Sequence, residues 1–322
     1  MTTVDLPSLA AQSIPPFESI PVIDISGLFG DADSKAQVAS AIQEACIQVG
    51  FFYVKNHGVD ETVIASALDA AYRFFDLSLE EKMKLHFRKN PKFKGYYPIL
   101  RKGLINEAFE ITPEIGLPSN NLMSELDLWP PEDLIPGFRE AVLKYYRDVH
   151  GLGLKLSQAF ALALNLPEDF FADKMKGGAS NMRLLHYPPQ TDASDGRGPG
   201  IPAHTDYQFF TILWQGDIPA LQIKNASGEW INAQPMPGTF VINIADQLSR
   251  WTNDIFKSTV HRATLEPGIR RISIPLFFAT DDDVMVEALP SCVSDSRPAR
   301  YEPILTWEYF KSRKEKLYGF AK

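Results

Sequence analysis

Two histidines and one aspartate in the second half of the chain have the residue types and the order of a metal site. One residue separates His204 from Asp206, and His261 follows much later in the chain. On an extended strand, side chains two residues apart point to the same face, so His204 and Asp206 can act together. Two imidazoles and one carboxylate bind iron(II) on one face and leave the opposite positions open. We therefore expect His204, Asp206 and His261 to bind iron(II).

Arg271 and Ser273 lie two residues apart at the start of an apolar run that continues to Phe278. This run predicts a buried strand, and a buried arginine needs an anionic partner; a surface cation is the alternative. A guanidinium group binds a carboxylate through two hydrogen bonds, and the hydroxyl groups of Ser273 and Tyr187 can donate to the same anion. These residues predict a cosubstrate that is an oxo-acid able to chelate the metal. Arg270 should point the other way and reach solvent.

The periodicity of the chain predicts a helical first part, a β-rich core and a helical end. Helical spacing of apolar residues extends over 138–165 and returns over 307–322. Short β-type runs, separated by Pro, Gly, Asn and Asp, predict a barrel or sandwich; they are residues 182–187, 209–214, 220–223, 239–244 and 271–278. We expect a tail over 1–19, a helical and strand region over 20–170, a catalytic core over 171–287, and a C-terminal loop and helix over 288–322.

A basic segment with interleaved aromatic residues, 82–102, has two interpretations. Charge runs usually lie on the surface, so the segment can be a solvated stretch. Alternatively, it forms a lid that contributes aromatic side chains to a substrate pocket. The candidates for contact with a substrate are Phe93, Tyr97, Phe109, Tyr207, Gln208 and Phe277. They indicate a partly aromatic or apolar substrate.

Composition and charge exclude several classes of partner for this chain of 322 residues, which is 45% hydrophobic and 22% charged. The net charge of −8 and the absence of a long basic stripe make nucleic acid an unsuitable partner. The first residues lack the pattern of a secretory signal, and no apolar run is long enough to span a membrane. Cys46 and Cys292 are too few for a disulfide framework. We expect a cytoplasmic protein that binds a small molecule; the sequence indicates no oligomeric state.

Short motifs along nearly the whole chain match one known family. They are residues 20–24, 49–59, 183–189, 204–206, 250–254, 258–262 and 271–273. On these motifs, the chain resembles the iron(II)- and 2-oxoglutarate-dependent dioxygenases of the isopenicillin N synthase-like group. The resemblance implies a mostly β core, a double-stranded β-helix or jelly roll, with flanking helices, α+β overall. The run 184–188 is also similar to fungal thymine hydroxylase-type members.

The resemblance also implies roles for the residues singled out above. His204, Asp206 and His261 match the ligands of the iron, and Arg271, Ser273 and Tyr187 match the residues that bind 2-oxoglutarate. Two positions depart from the family pattern. Gln208 stands where many members have Gly, which reshapes the expected substrate pocket. Leu185 stands where many plant members have Asn, which removes one hydrogen bond to the cosubstrate.

Three functions are compatible with these residues. The favoured one is a dioxygenase of small-molecule or secondary metabolism that uses iron(II), 2-oxoglutarate and O2, most simply to hydroxylate its substrate, with release of succinate and CO2. The second is an iron-dependent oxidase that desaturates or closes or expands a ring, in which Arg271 and Ser273 bind a carboxylate of the substrate itself. The third is a non-catalytic ligand-binding protein on the same fold, against which the intact His204, Asp206 and His261 set argues.

Overall fold

The computed structural model describes residues 5–12, 14–90, 94–99, 105–112, 129–176, 180–189 and 199–318. Seven α-helices occur in these ranges: α1 (Leu6–Ala10), α2 (Ala32–Gln48), α3 (Glu61–Phe75), α4 (Leu79–Lys84), α5 (Phe138–Ala163), α6 (Asp246–Trp251) and α7 (Thr306–Tyr318). None of them is long and apolar enough to cross a membrane. The predicted long helix over 138–165 is confirmed as α5, and the predicted C-terminal helix is confirmed as α7.

Fourteen strands occur in the same ranges. They are β1 (Val22–Asp24), β2 (Phe51–Lys55), β3 (Gly95–Tyr97), β4 (Glu107–Ile111), β5 (Asn181–Tyr187), β6 (Pro199–His204), β7 (Phe210–Trp214), β8 (Leu221–Lys224), β9 (Trp230–Asn232), β10 (Thr239–Ile244), β11 (His261–Thr264), β12 (Arg271–Phe278), β13 (Met285–Val286) and β14 (Ile304–Leu305). The five runs predicted from periodicity are confirmed as β5, β7, β8, β10 and β12.

Two sheets form the core of the molecule. The major sheet has eight strands in the order β1-β2-β10-β7-β12-β5-β4-β3, and the minor sheet has four in the order β6-β11-β8-β9. From β5 to β12 the chain passes back and forth between the two sheets, and only β8 and β9 are consecutive strands of the same sheet. This is the connectivity of a jelly roll. The expected double-stranded β-helix with flanking helices is confirmed.

The apolar side chains pack in two layers, one on each face of the major sheet. The larger hydrophobic cluster joins α2, α3 and α5 to the outer face of this sheet, and a smaller one, with Phe51 and Ile223, lies between the two sheets. Strand alternation directs residues i and i+2 to the same face, so each central strand contributes to both layers. The inner layer leaves room for polar side chains where the two sheets meet.

The basic segment belongs in part to this framework. Its described residues form α4 and β3, and β3 and β4 extend the edge of the major sheet next to β5. Lys82 is only 7% exposed, although its position in a charge run favoured a solvated side chain. The reason is that its ammonium group has a buried carboxylate partner, Glu107, at 2.9 Å.

Candidate active site

The three expected metal ligands converge at one end of the space between the sheets. His204 is the last residue of β6 and His261 is the first of β11, and these two residues are directly paired in the minor sheet. Asp206 lies just beyond β6, and its Oδ1 is 3.5 Å from Nε2 of His204 and 3.9 Å from Nε2 of His261. All three ligand atoms lie within 4.8 Å of one another. Strand pairing therefore brings His261 next to His204 and Asp206, from which it is remote in sequence.

Main-chain carbonyl groups orient both imidazole rings. Nδ1 of His204 lies 2.8 Å from the carbonyl oxygen of Pro202, and Nδ1 of His261 lies 3.1 Å from that of Thr259. A carbonyl oxygen only accepts, so each Nδ1 carries the proton and donates it. Each Nε2 faces Asp206 and, in the neutral form of the ring, carries the lone pair that a metal-binding histidine requires.

The major sheet fixes the carboxylate of Asp206. Thr211 of β7 and Asn243 of β10 are paired across these strands, and both donate to Oδ2 of Asp206, over 2.6 and 2.8 Å. Oδ2 is thereby engaged, and Oδ1 remains on the side of the two histidines. Neither donor was predicted from the sequence. A polar residue within the apolar strand 239–244 was the available signal for Asn243, because a buried polar side chain needs a partner.

The pKa values of His204, Asp206 and His261 favour the binding of a cation by this cluster. Burial lowers the pKa of His261 to about 4, so its imidazole is neutral at neutral pH. Burial alone would raise the pKa of Asp206, but hydrogen bonds from His204 and Thr211, and the positive charge of either histidine when it is protonated, hold the pKa well below its usual range. The pKa of His204 is raised because its contact with Asp206 outweighs burial. A metal cation would displace the His204 proton and take its place beside the carboxylate.

Arg271 and Tyr187 form the second polar pair of the site, at the opposite end of the same cavity. They are paired between β12 and β5, and the guanidinium carbon of Arg271 lies 4.9 Å from the centre of the Tyr187 ring. Arg271 is 4% exposed and donates through Nη2 to the carbonyl oxygen of Gln215 over 2.8 Å. Its Nε and Nη1 have no hydrogen-bond partner among the described residues. A buried guanidinium with two donors left over is suited to a carboxylate.

One cavity of about 70 Å³ connects the metal cluster to the arginine. His204, Asp206 and His261 line it on one side, and Arg271 and Ser273 line it on the other. Apolar side chains complete the walls, among them Leu185, Ile201, Leu213, Pro275 and Phe277. The donor set of two imidazoles and one carboxylate fits iron(II), and the arginine end fits the distal carboxylate of an oxo-acid.

Two of the six substrate candidates lie at or beside this cavity. Phe277 lines it, and Tyr97 packs against the small cluster that includes Leu185 and Tyr187. Leu185, which replaces the Asn of plant members, presents an apolar side chain to the cavity. Phe93 lies outside the described residues.

The other three candidates are placed elsewhere, and this corrects the expectation for them. Phe109 lies in the outer core against Phe74, because strand alternation sends the neighbouring Ala108 to the cavity side. The ring of Tyr207, which follows Asp206, packs on that of Phe310 of α7, with ring centres 5.5 Å apart. Gln208 is buried and donates to the side chain of Asn181.

Asp246, which the sequence analysis did not single out, links the segments that carry the ligands. Its main-chain N–H donates to the carbonyl of Asp206 over 2.8 Å, and its carboxylate accepts from Ser258, just before His261, over 2.7 Å. From α7, Tyr309 donates to the same carboxylate over 2.9 Å, and Arg313 lies 3.2 Å from it. The C-terminal helix is thus attached to the loops of the metal cluster.

Comparison with known proteins matches both parts of the chain. Residues 20–132 match the model of the non-haem dioxygenase N-terminal region described from morphine synthesis, and residues 178–280 match that of the 2OG-Fe(II) oxygenase superfamily. The second match contains all six residues of the metal and arginine ends of the cavity.

Individual relatives align over most of their length. The 2-oxoglutarate-Fe(II) type oxidoreductase hxnY of Emericella nidulans is 34% identical, with 94% of this chain and 91% of that protein covered. Homoarginine-6-hydroxylase 2-ODD-C23 of Glycine max is 36% identical, with 85% and 89% covered. A full-length Neurospora crassa protein, crystallised in complex with alpha-KG and thymine, superimposes with a TM-score of 0.82 at 28% identity, covering 93% of this chain and 97% of that one. The chain therefore belongs to the 2OG-Fe(II) oxygenase superfamily, an enzyme family whose cofactor is iron(II) and whose cosubstrate is 2-oxoglutarate.

Proposed function

We propose that this enzyme hydroxylates a C–H bond of a small organic metabolite, with His204, Asp206 and His261 as iron(II) ligands and Arg271, Ser273 and Tyr187 as the 2-oxoglutarate site. When bound, iron(II) and 2-oxoglutarate activate dioxygen, so that one oxygen atom enters succinate, CO2 is released and the other oxygen atom enters the substrate. The observation that carries the residue assignment is the buried guanidinium of Arg271, which faces the same cavity as the metal cluster.

The side chains of this chain orient the reactants and exclude water. Arg271 offers Nε and Nη1 to the distal carboxylate, and the nearby hydroxyl groups of Tyr187 and Ser273 can add hydrogen bonds. Thr211 and Asn243 keep one oxygen of Asp206 away from the metal face. The apolar walls separate the reacting centre from bulk water, which limits side reactions.

Succinate formation tests the assignment directly. Purified protein with iron(II), 2-oxoglutarate, O2 and a stimulating substrate should produce succinate, and Arg271→Gln should raise the KM for 2-oxoglutarate by at least about tenfold, since a buried charged hydrogen bond contributes roughly 1.5–3 kcal/mol. Asp206→Ala should lose bound iron on gel filtration. If Asp206→Ala kept its iron and its full turnover, the ligand assignment would be wrong.

The same assay distinguishes the 2-oxoglutarate-dependent hydroxylase from the iron-dependent oxidase considered for this sequence. An oxidase that binds a substrate carboxylate at Arg271 would oxidise its substrate without consuming 2-oxoglutarate. The names of the relatives, 2-oxoglutarate-Fe(II) type oxidoreductase and homoarginine-6-hydroxylase, support the hydroxylase. Substrate oxidation with no succinate formed would instead support the oxidase.

The apolar walls near Leu185, Ile201 and Phe277 support a substrate whose reacting carbon is part of an apolar or aromatic group. The Neurospora crassa structure contains thymine, a planar ring with a methyl group, which makes thymine a suitable first compound for this chain. A panel of methylated heterocycles and apolar acids should contain compounds that stimulate succinate formation above the uncoupled rate. Mass spectrometry should then find a product that is heavier than the substrate by the mass of one oxygen atom, which is diagnostic of hydroxylation.

A further inference from the structure

A buried polar network covers the outer face of the major sheet directly behind the arginine end of the cavity. We call it the outer network; its members are Lys82, Tyr96, Glu107, His186 and Arg270. Lys82, Tyr96, Glu107 and His186 are each less than 9% exposed. The family assignment gives these residues no role, and buried charges are costly unless they are paired and hydrogen-bonded.

Glu107 lies at the centre of the outer network. Its carboxylate accepts from Lys82 Nζ over 2.9 Å, from the Tyr96 hydroxyl, and from His186 Nδ1 over 2.8 Å. Burial alone would raise the pKa of Glu107, but these three hydrogen bonds outweigh it and lower the pKa below its usual value. The carboxylate is therefore charged and fully engaged.

His186, which bonds to Glu107, also bonds to Arg270, the residue directly before Arg271. Its Nε2 lies 2.8 Å from Nε of Arg270, which can only donate. Nε2 of His186 is therefore the acceptor, and Nδ1 donates to Glu107. Arg270 is fixed in turn by Asp76 at 2.8 Å and by the Tyr72 ring at 4.7 Å, both at the end of α3.

The outer network and the cosubstrate pair occupy opposite faces of the same two strands. Tyr187 pairs with Arg271 on the cavity face, and the residues immediately before them, His186 and Arg270, bond to each other on the outer face. Side chains of consecutive strand residues point to opposite faces, so a rotation of β5 or β12 that moved the outer pair would also turn the inner pair. Arg270 points away from Arg271, as expected, and its side chain is 30% exposed while it also contacts His186.

We propose that the outer network positions Arg271 and Tyr187 for the 2-oxoglutarate carboxylate, with Arg270 and His186 as the positioning residues. The proposal rests on the proposed role of Arg271. A purely apolar outer face would pack the strands equally well but would leave their rotation less defined. The network instead fixes β5 to β4 through Glu107, and β12 to α3 through Arg270.

The test measures cosubstrate affinity separately from metal affinity. Arg270→Met removes the donor to His186 at similar side-chain length, and His186→Phe keeps a ring on Phe75, with which His186 stacks at 4.8 Å, but removes both hydrogen bonds. The control is Arg183→Met, on the same strand β5, which breaks a different ion pair to β4, that of Arg183 with Glu110 at 2.6 Å. Anaerobic calorimetry of each full-length protein gives the Kd of cobalt(II) or iron(II) for the metal-free form. A second titration gives the Kd of 2-oxoglutarate for the metal-loaded form, and a melting curve reports folding.

We expect both variants of the outer network to bind 2-oxoglutarate about tenfold more weakly, the usual range for lost supporting hydrogen bonds, with metal affinity unchanged within about twofold. Arg183→Met should keep the wild-type Kd values. Wild-type cosubstrate affinity in both Arg270→Met and His186→Phe would overturn the proposal, and so would equal weakening in Arg183→Met. The reference variant Arg271→Gln separates the two hypotheses: if it binds 2-oxoglutarate as tightly as the wild type, the role of Arg271 itself is wrong.

Discussion

At the scale of single residues, the metal cluster depends on how the two oxygens of Asp206 are divided. Thr211 and Asn243 engage Oδ2 from adjacent strands, whereas Oδ1 lies 3.5 Å from His204. Without these donors the carboxylate could rotate or bind a metal through both oxygens. One-oxygen coordination leaves more positions for a chelating cosubstrate and dioxygen, so the two donors bear directly on how many sites the metal keeps open.

Replacing one of these donors should weaken metal binding. Thr211→Val removes the hydroxyl at nearly constant size, and we expect iron(II) or cobalt(II) affinity to fall about tenfold, which is typical for the loss of a hydrogen bond to a metal ligand. Thr211→Ser keeps the hydroxyl and should bind the metal nearly as the wild type does. Calorimetric titration of the metal-free proteins measures both, and equal affinities of the Val and Ser variants would contradict the argument.

At the scale of elements, α5 supports β12, the strand that carries Arg271 and Ser273. The helix approaches the sheet closely at Gly153, where an added methyl group would overlap the ring of Phe278. Phe278 stacks on Phe210 of β7 with ring centres 4.9 Å apart, so the contact reaches the centre of the major sheet. Glycine is therefore required at position 153 because the packing leaves no room for a side chain, and it does not indicate the end of the helix.

Two glycines of the same helix should respond in opposite directions to alanine. Gly153→Ala should destabilise the protein by about 1–3 kcal/mol, the usual cost of overpacking a core. Gly151 is exposed and an added methyl group meets nothing within 4 Å, so Gly151→Ala should stabilise by about 0.5–1 kcal/mol through helix propensity alone. Urea denaturation of both variants gives the free energies, and stabilisation by Gly153→Ala would refute the packing argument.

At the scale of the whole molecule, burial of histidines makes the free energy of unfolding depend on pH. His150 of α5 lies between Tyr146 and Phe278, with ring centres 5.7 and 5.0 Å away, and burial lowers its pKa from 6.5 to about 4. Below pH 6.5 the unfolded chain binds a proton at this residue, while the folded protein does not until about pH 4. Stability contributed by the neutral ring is thus complete above pH 6.5 and is lost progressively down to pH 4.

Replacing His150 with an aromatic residue that does not titrate should reduce this acid sensitivity. Between pH 6.5 and 4 the free energy of unfolding of the wild type should fall by about 3 kcal/mol more than that of His150→Phe. Urea midpoints measured across this range give the comparison, and other titrating groups, including His261, cancel in the difference. Parallel curves for the two proteins would show that His150 does not hold the shifted pKa.

The sequence by itself determined the chemistry of the cavity and the type of fold. Residue types and order predicted the cluster that could hold a metal, because two imidazoles and a carboxylate suit one class of metal centre, and strand periodicity gave β10 and β12 their observed bounds. The apolar run after Arg271 predicted its burial correctly. These features are local, and local patterns report which atoms are available and which face of a strand is buried.

Only the tertiary structure decided which side chains surround those residues. Asn243 reaches Asp206 because β10 pairs with β7, and Lys82 of α4 and His186 of β5 meet at Glu107 of β4, although these partners lie far apart in the chain. An aromatic residue such as Phe109 can belong to a core or to a pocket, and the sequence does not distinguish the two. Its position on β4 directs its side chain to the face of the sheet that packs in the core. The physical reason is that a sequence pattern specifies a face, whereas the neighbours across that face depend on register and on the packing of helices over the sheet.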